Sequence, residues 1–204
     1  MNKYIFGAAV TVAMSMSSSA FALTAAELDA MMADIRLQCG ATTTLSQCDA
    51  LVQAKIAELE ASGTLDDTAR VNALARIVET ATSALGSNGG TNSDIASEIS
   101  QIVDRVSTQL NTITTRSPET ATAVNSAVSR VVVAVLVVVQ ENDLGSDADA
   151  LASVTGALED IADESSDPTQ TAAIDGIAST LEAGGSIVDV IEEIEVVNSF
   201  ASPA

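Results

Sequence analysis

Histidine and tryptophan are missing from this sequence, and its 204 residues include only one tyrosine and three phenylalanines. Histidine is the most frequent general base of enzymes, and aromatic faces commonly stack sugars and nucleobases. Because both kinds of group are scarce or missing, the composition argues against most enzymatic chemistry. We therefore predict a protein that is not an enzyme and uses no cofactor.

Positive charge is also scarce, with 8 basic residues against 28 acidic ones. The last basic residue is Arg130, and the segment from Glu141 to Glu195 carries 15 carboxylates with none to pair them. Phosphate backbones and anionic lipid surfaces both attract basic proteins. We therefore expect neither nucleic acid nor an anionic membrane surface as a partner.

Only two cysteines are present, Cys39 and Cys48, and they enclose eight residues. Redox-active pairs usually have a Cys-x-x-Cys spacing, and a zinc site would need more cysteines or a histidine. The pair therefore predicts a structural disulfide, which would stabilise the fold by roughly 2 to 3 kcal/mol through closure of a short loop.

The first 22 residues have the three parts of a cleavable signal peptide. Lys3 provides the positive charge, residues 4–16 are apolar, and Ala20-Phe21-Ala22 fits the cleavage rule. The apolar part has 13 residues, fewer than the roughly 20 that a spanning helix needs, so we expect no stable membrane anchor. Cleavage leaves 182 residues with a net charge of −21, exported to a periplasmic or extracellular compartment where disulfides persist.

The remaining sequence predicts an all-α bundle of seven to eight amphipathic helices, whose N-terminal hairpin is stapled by the disulfide. Helix starts are marked by a capping box at Thr24 and Glu27, a cap at Ser46, and prolines at 118 and 168. The predicted helices cover residues 24–38, 46–62, 66–85, 95–114, 118–141, 147–164, 168–183 and 186–197. In the last of them we expect Ile187, Val190, Ile191 and Ile194 to point inward.

The segment Val131 to Val139 is apolar on all sides, and valine favours strands by propensity. Valines at 124, 128, 131, 135 and 138 nevertheless have helical spacing and continue from the capped start at Ser117. We therefore predict one long buried helix. The alternatives are a segment that inserts into a membrane or a partner, and a segment prone to cross-β assembly.

We predict one helical domain over residues 23–197, with a subdivision near 86–93 as an option and a frayed tail over 198–204. The helices at 95–114 and 118–141 are expected to form its central pair.

A weak internal repeat is also visible. The dipeptide Val-Asn occurs at 71–72 and again at 124–125. Each copy is followed by an arginine and then by an apolar stretch that ends with Leu-Gly-Ser. The similarity suggests a duplicated helical unit.

Two kinds of acidic cluster are candidate sites in this sequence. The stretch 141–149 offers oxygens to calcium, but its spacing does not fit an EF-hand and helix capping explains its acids. Paired acids could in principle hydrolyse glycosides, but they look like solvated helix faces. These pairs are Glu159-Asp160, Asp163-Glu164 and Glu192-Glu193.

The composition and patterns favour an exported, non-catalytic structural or interaction protein. It would act by self-association or by contact with a protein partner, for example as a matrix, filament or surface component. One alternative is a periplasmic binding module or chaperone that holds an apolar ligand between aliphatic helices. A second is a secreted membrane-active protein that uses Val131 to Val139.

Overall fold

The computed structural model describes residues 23–41, 47–113 and 117–201. Within these ranges the chain forms eight α-helices and two short 3-10 turns, Leu144–Ser146 and Ile187–Val190. The predicted all-α fold is confirmed. The helices are α1 Ala25–Cys39, α2 Cys48–Ser62, α3 Asp67–Gly86, α4 Asn92–Asn111, α5 Pro118–Glu141, α6 Ala148–Ala162, α7 Pro168–Glu182 and α8 Ile191–Ser199.

Side-chain caps start most of these helices where the sequence predicts. The Thr24 hydroxyl accepts from the Glu27 amide at 3.2 Å, and the Glu27 carboxylate accepts from the Thr24 amide at 2.7 Å. Ser117 caps α5 in the same way, ahead of Pro118. These contacts satisfy amides that have no partner inside the helix. The cap predicted at Ser46 and the predicted signal peptide lie outside the described residues.

Three helices, α1, α3 and α5, lie side by side and parallel in one row. Arg76 of α3 donates to Asp29 of α1 at 2.8 Å, and Asn88, just after α3, donates to the Cys39 carbonyl at 2.8 Å. Arg130 of α5 donates to Glu79 of α3 at 2.7 Å. In each pair the contacts advance in the same direction along both helices, so neighbours in the row are parallel, and the end of α1 lies beside the end of α3.

A second row contains α2, α4 and α6, so that the chain folds as stacked helical hairpins. Arg105 of α4 forms an ion pair with Asp49 of α2, and Ser107 of α4 donates to the Asp160 carbonyl of α6 at 3.3 Å. Each hairpin packs mainly on its neighbours, as in helical solenoids. We call the whole arrangement the helix stack.

The last hairpin is reversed relative to the others. Helix α7 packs on α6, and α8 packs on α5. The Ser129 hydroxyl of α5 donates to the Val197 carbonyl at 2.6 Å, and the Ser126 hydroxyl donates to the Ala201 carbonyl at 3.2 Å. Helix α8 is therefore antiparallel to α5 and closes one end of the helix stack, whereas α1 and α2 form the other end.

Several sequence expectations need correction. The predicted central pair, α4 and α5, is wrong, because α5 packs mainly on α3 and α4 mainly on α6. Periodicity shows that a helix has an apolar face but not which face it meets. The predicted final helix is a 3-10 turn followed by α8, which runs to Ser199 and is held to α5, so the tail is ordered further than expected. The subdivision near 86–93 stays a prediction.

The core is almost wholly aliphatic and includes buried side chains from all eight described helices. We call Val131 to Val139 the valine run. This run lies within α5 and six of its nine residues are buried, which confirms the predicted long helix. The two copies of the repeated pattern fall in α3 and α5. These helices hold equivalent positions in successive hairpins of the helix stack.

Candidate functional site

A surface cleft lies at the end of the helix stack formed by the last hairpin. Its volume is about 440 Å³. It opens between the ends of α5 and α7 and the two 3-10 turns. We call it the C-terminal cleft, and it is lined by Val139, Gln140, Asp143, Gly145, Ser146, Leu181, Gly184, Gly185, Ser186, Ile187 and Val188.

The turns around this cleft are fixed by specific local interactions. Gly184 ends α7 with φ 81°, a left-handed conformation that glycine adopts without strain. The Ser186 amide then donates to the Asp189 carboxylate at 2.7 Å. That backbone hydrogen bond, together with one from the Ser186 hydroxyl, lowers the pKa of Asp189. The rim of the cleft is therefore a defined turn that carries a stably ionised carboxylate.

Large aliphatic side chains are exposed beside this cleft. Val188 is 71% exposed and Ile191, at the start of α8, is 49% exposed. The prediction that Ile191 points inward is wrong, because the 3-10 turn shifts the angular position of α8 relative to a continuous helix. Val190 is buried as predicted. Exposed aliphatic side chains that border a cleft are typical of interaction sites.

The most exposed large aliphatic residue in the described chain is Leu37, at 75%, and it lies at the opposite end of the helix stack. The same side of α1 also exposes three alanines, Ala26, Ala30 and Ala33. Together with Leu37 they follow one another at intervals of four, three and four residues. Residues at such spacings share one helix face. We call these four residues the α1 face, which sequence analysis missed.

The disulfide and a partly buried ion pair lie at the end of α1 that carries Leu37. Cys39 and Cys48 are bonded with a Cα–Cα distance of 4.9 Å. Asp49 follows directly, and its carboxylate accepts from Arg105 at 2.6 Å. Its amide donates to the Glu98 carboxylate at 3.0 Å. Burial of Glu98 raises its pKa, and the nearby carboxylate of Asp49 adds to that effect.

Charge is distributed unevenly over the two ends. Five of the six basic residues in the described ranges form ion pairs, which involve Lys55, Arg70, Arg76, Arg105 and Arg130. The sixth, Arg36, is exposed beside Leu37 and forms no ion pair within the described ranges. At the other end, Asp143, Asp189 and Glu192 are exposed around the C-terminal cleft. An exposed arginine with no ion pair in the described ranges therefore lies beside Leu37, and exposed carboxylates lie near the C-terminal cleft.

A buried polar network anchors the last hairpin near the start of α7, at the other end of that helix from the cleft. The Gln170 amide of α7 donates to the Ser129 hydroxyl at 2.8 Å and to the Asn125 carbonyl at 2.9 Å. Ser129 in turn donates to the Val197 carbonyl of α8. Networks of fully satisfied buried groups fix one arrangement of the elements that they join, so α7 and α8 present a defined surface.

A second groove runs along α5 between α3 and α8, with a volume of about 340 Å³. Its lining includes Val133 and Val137 of the valine run, and Val137 is 45% exposed. Helix α5 is long and apolar enough to cross a membrane by length and composition, but about two-thirds of its apolar part is buried among other helices. The expectation of no stable membrane anchor stays a prediction.

The acidic stretch proposed for calcium is divided between two local roles. The Asp147 carboxylate accepts from the Asp149 and Ala150 amides at 3.1 Å and caps α6. Asp143 adopts a left-handed conformation before the first 3-10 turn. Among the described residues, no three potential metal ligands lie together.

The acidic pairs occupy separate parts of the helix stack. Asp160 lies on α6, where loss of hydration raises its pKa and the carboxylates of Asp104 and Asp163 raise it further. Glu164 is buried just after α6, whereas Glu192 is exposed on α8. The structure therefore gives these acids different surroundings but does not gather them in one cleft.

Comparison with known proteins gives no family for this chain. No protein-family profile matches it, and neither a curated protein nor a solved structure shows significant similarity to it.

Proposed function

We propose that this chain is an exported, non-catalytic protein that acts by associating with further copies of itself, as a matrix, filament or surface component. The observation that carries this proposal is the exposure of large aliphatic side chains at both ends of the helix stack, Leu37 at one end and Val188 with Ile191 at the other. Elsewhere the aliphatic side chains are mostly buried in one core.

The ends of a stack of hairpins have a special requirement. Each inner hairpin covers its neighbours, so the terminal ones need a polar outer surface to stay soluble as monomers. Here the outer surface of α1 is apolar along the α1 face, and the last hairpin exposes two large aliphatic residues beside a cleft. Association through these ends would bury both surfaces.

Export is part of the same proposal. The N-terminal 22 residues have the pattern of a signal peptide, and the disulfide between Cys39 and Cys48 suits an oxidising compartment. A net charge of −21 for the secreted chain limits non-specific aggregation, because like-charged copies repel each other at long range. Contact between copies then requires specific surfaces.

The alternative of an apolar ligand has one observation in its favour. The C-terminal cleft has a volume within the range of small-molecule sites, roughly 300 to 1,000 Å³. Val139, Leu181 and Ile187 supply an apolar wall. Native mass spectrometry after mild purification distinguishes the two functions, since a bound lipid or other small apolar molecule on the monomer favours the binding module.

The membrane-active alternative receives less support, because most of the valine run is buried in the protein core. Its release would require α5 to separate from α3. Dye release from neutral liposomes tests this function, and absence of leakage dismisses it.

Fractionation of the producing cells tests the proposal. We expect the protein outside the cytoplasm, beginning at Leu23 by mass spectrometry, in a particle that electron microscopy shows to contain many copies. A cytoplasmic protein that retains residues 1–22 would contradict export. An extracytoplasmic protein found only as single molecules would contradict self-association.

A further inference from the structure

We infer that copies of this chain associate head to tail, with the α1 face of one copy seated against the C-terminal cleft of the next. This inference rests on the proposed self-association and specifies the two surfaces that make it. The occupant of the C-terminal cleft is therefore a second copy, and the residue that enters the cleft is Leu37.

The two surfaces are complementary in shape. The α1 face is a projecting helix surface of three alanines followed by Leu37, the most exposed large aliphatic side chain in the described ranges. Alanines allow the backbone of α1 to approach a neighbour closely. The C-terminal cleft is the recess, with Val188 and Leu181 on its walls. A projecting leucine and an apolar recess on one molecule form a contact that a second copy can complete.

Charge supports the same pairing. Arg36 is exposed next to Leu37 and forms no ion pair within the described part of the chain. The cleft end presents Asp143 on its wall, with Asp189 and Glu192 close by in sequence to Val188 and Ile191. No basic residue follows Arg130 in the sequence. A guanidinium from a neighbouring copy would therefore supply a positive charge that this end lacks.

The positions of the two surfaces in the fold suit head-to-tail contact. The parallel contacts within the first row bring the ends of α1, α3 and α5 to one edge. The end of α7 joins that edge, because Leu181 near the end of α7 and Val139 near the end of α5 line the same cleft. Leu37 and Val188 thus lie on the same edge, at opposite ends of the helix stack. A second copy placed by this contact continues the stack.

Such a contact uses two different surfaces of one molecule, so each added copy leaves one surface of each kind free. Heterologous contacts of this kind build open filaments unless the rotation between copies closes a ring. The structure therefore points to a filament or ring made of continuous stacked hairpins, rather than to a two-fold dimer.

Two variants that each block one surface test this inference. Leu37→Asp removes the projecting side chain, and Val188→Asp places a charge at the recess. Each change is at an exposed site, so the fold should persist, as circular dichroism can verify. We expect the loss of apolar burial to raise the apparent dissociation constant of each variant at least about tenfold. Each variant alone should therefore remain monomeric at concentrations at which the unchanged chain assembles. Val137→Asp, at an exposed aliphatic site on α5, is the matched control and should assemble like the unchanged chain.

Mixing the two variants gives the decisive result. Each retains the surface that the other has lost, so an equimolar mixture should form dimers and stop there, measured by sedimentation velocity. If the unchanged chain assembles and both variants assemble equally well, the inferred contact is wrong and self-association uses another surface. If the unchanged chain never assembles, the proposed function fails and the inference fails with it.

Discussion

Thr82 and Thr155 are both fully buried threonines, but their hydroxyls differ in hydrogen bonding. The Thr155 hydroxyl reaches the Ala152 carbonyl and the Glu182 carboxylate, each at 3.2 Å. The Thr82 hydroxyl finds no partner in the described part of the chain. A buried polar group without a partner costs about 1 to 3 kcal/mol.

Replacing each threonine by valine should therefore have opposite effects. We expect Thr82→Val to raise the free energy of unfolding by about 1 kcal/mol, because it removes an unsatisfied hydroxyl and keeps the shape. Thr155→Val should lower it by a similar amount. Urea denaturation measures both, and a loss of stability in Thr82→Val would show that its hydroxyl has a partner.

Glu98 predicts a pH dependence of stability. Its pKa is raised in the folded state, so the folded chain binds a proton more readily than the unfolded chain. This group therefore destabilises the fold increasingly as pH rises from its unfolded pKa through its folded pKa. Glu98→Gln keeps an acceptor for the Asp49 amide and removes the buried charge. We expect the variant to be more stable than the original chain at pH 7, with the difference shrinking towards pH 4.5.

Glu27 is the control for that experiment, because its hydrogen bonds with Thr24 lower its pKa. Its contribution has the opposite sign: it stabilises the fold at neutral pH and is lost as pH falls through its folded pKa. Glu27→Gln should therefore be less stable than the original chain at pH 7. Unfolding curves at several pH values measure both variants, and equal shifts in one direction would contradict the argument.

At the scale of elements, α3 and α5 approach closely because Gly86 has no side chain. A Cβ at residue 86 would lie 2.8 Å from a methyl group of Val138, whereas a Cβ at Gly156 in α6 would meet nothing within 4 Å. We expect Gly86→Ala to cost about 1 to 3 kcal/mol through overpacking. Gly156→Ala should gain about 0.5 to 1 kcal/mol, because alanine favours the helix. Thermal unfolding distinguishes them, and a neutral Gly86→Ala would mean that α5 shifts freely.

Local sequence signals predicted the helices well but not their partners. Capping residues and apolar spacing act within one turn, so Thr24, Ser117 and Asp167 mark helix starts without reference to the rest of the chain. The pairing of α3 with α5 depends on tertiary contacts such as that of Gly86 with Val138. The sequence alone therefore placed α4 and α5 together incorrectly.

The candidate surfaces were harder to predict than the helices. Met31, Met32 and Ile35 mark the buried face of α1, and Leu37 does not lie on that face. The sequence signal for an exposed apolar face was the helical spacing of Leu37 with the alanines at 30 and 33. Periodicity predicts an inward Ile191 because it treats residues 186–197 as one continuous helix, without the 3-10 turn that precedes α8. Whether an aliphatic residue is covered depends on the neighbouring elements, which periodicity does not specify.

At the scale of the whole molecule, net charge and specific contact oppose each other. Copies that each carry a net charge of −21 repel at low ionic strength, where the Debye length is roughly 30 Å at 0.01 M. At 0.15 M it falls to roughly 8 Å, which screens repulsion between distant carboxylates more than it weakens apolar contact. Association should therefore strengthen as salt is added.

Sedimentation velocity of the chain from Leu23 onward, over a range of protein and salt concentrations, tests the central claim of self-association most directly. We expect the sedimentation coefficient to increase with protein concentration, and to increase further between about 0.01 M and 0.15 M salt as repulsion is screened. A protein that sediments as a monomer at every concentration, including in seawater-like salt with calcium, would contradict the claim.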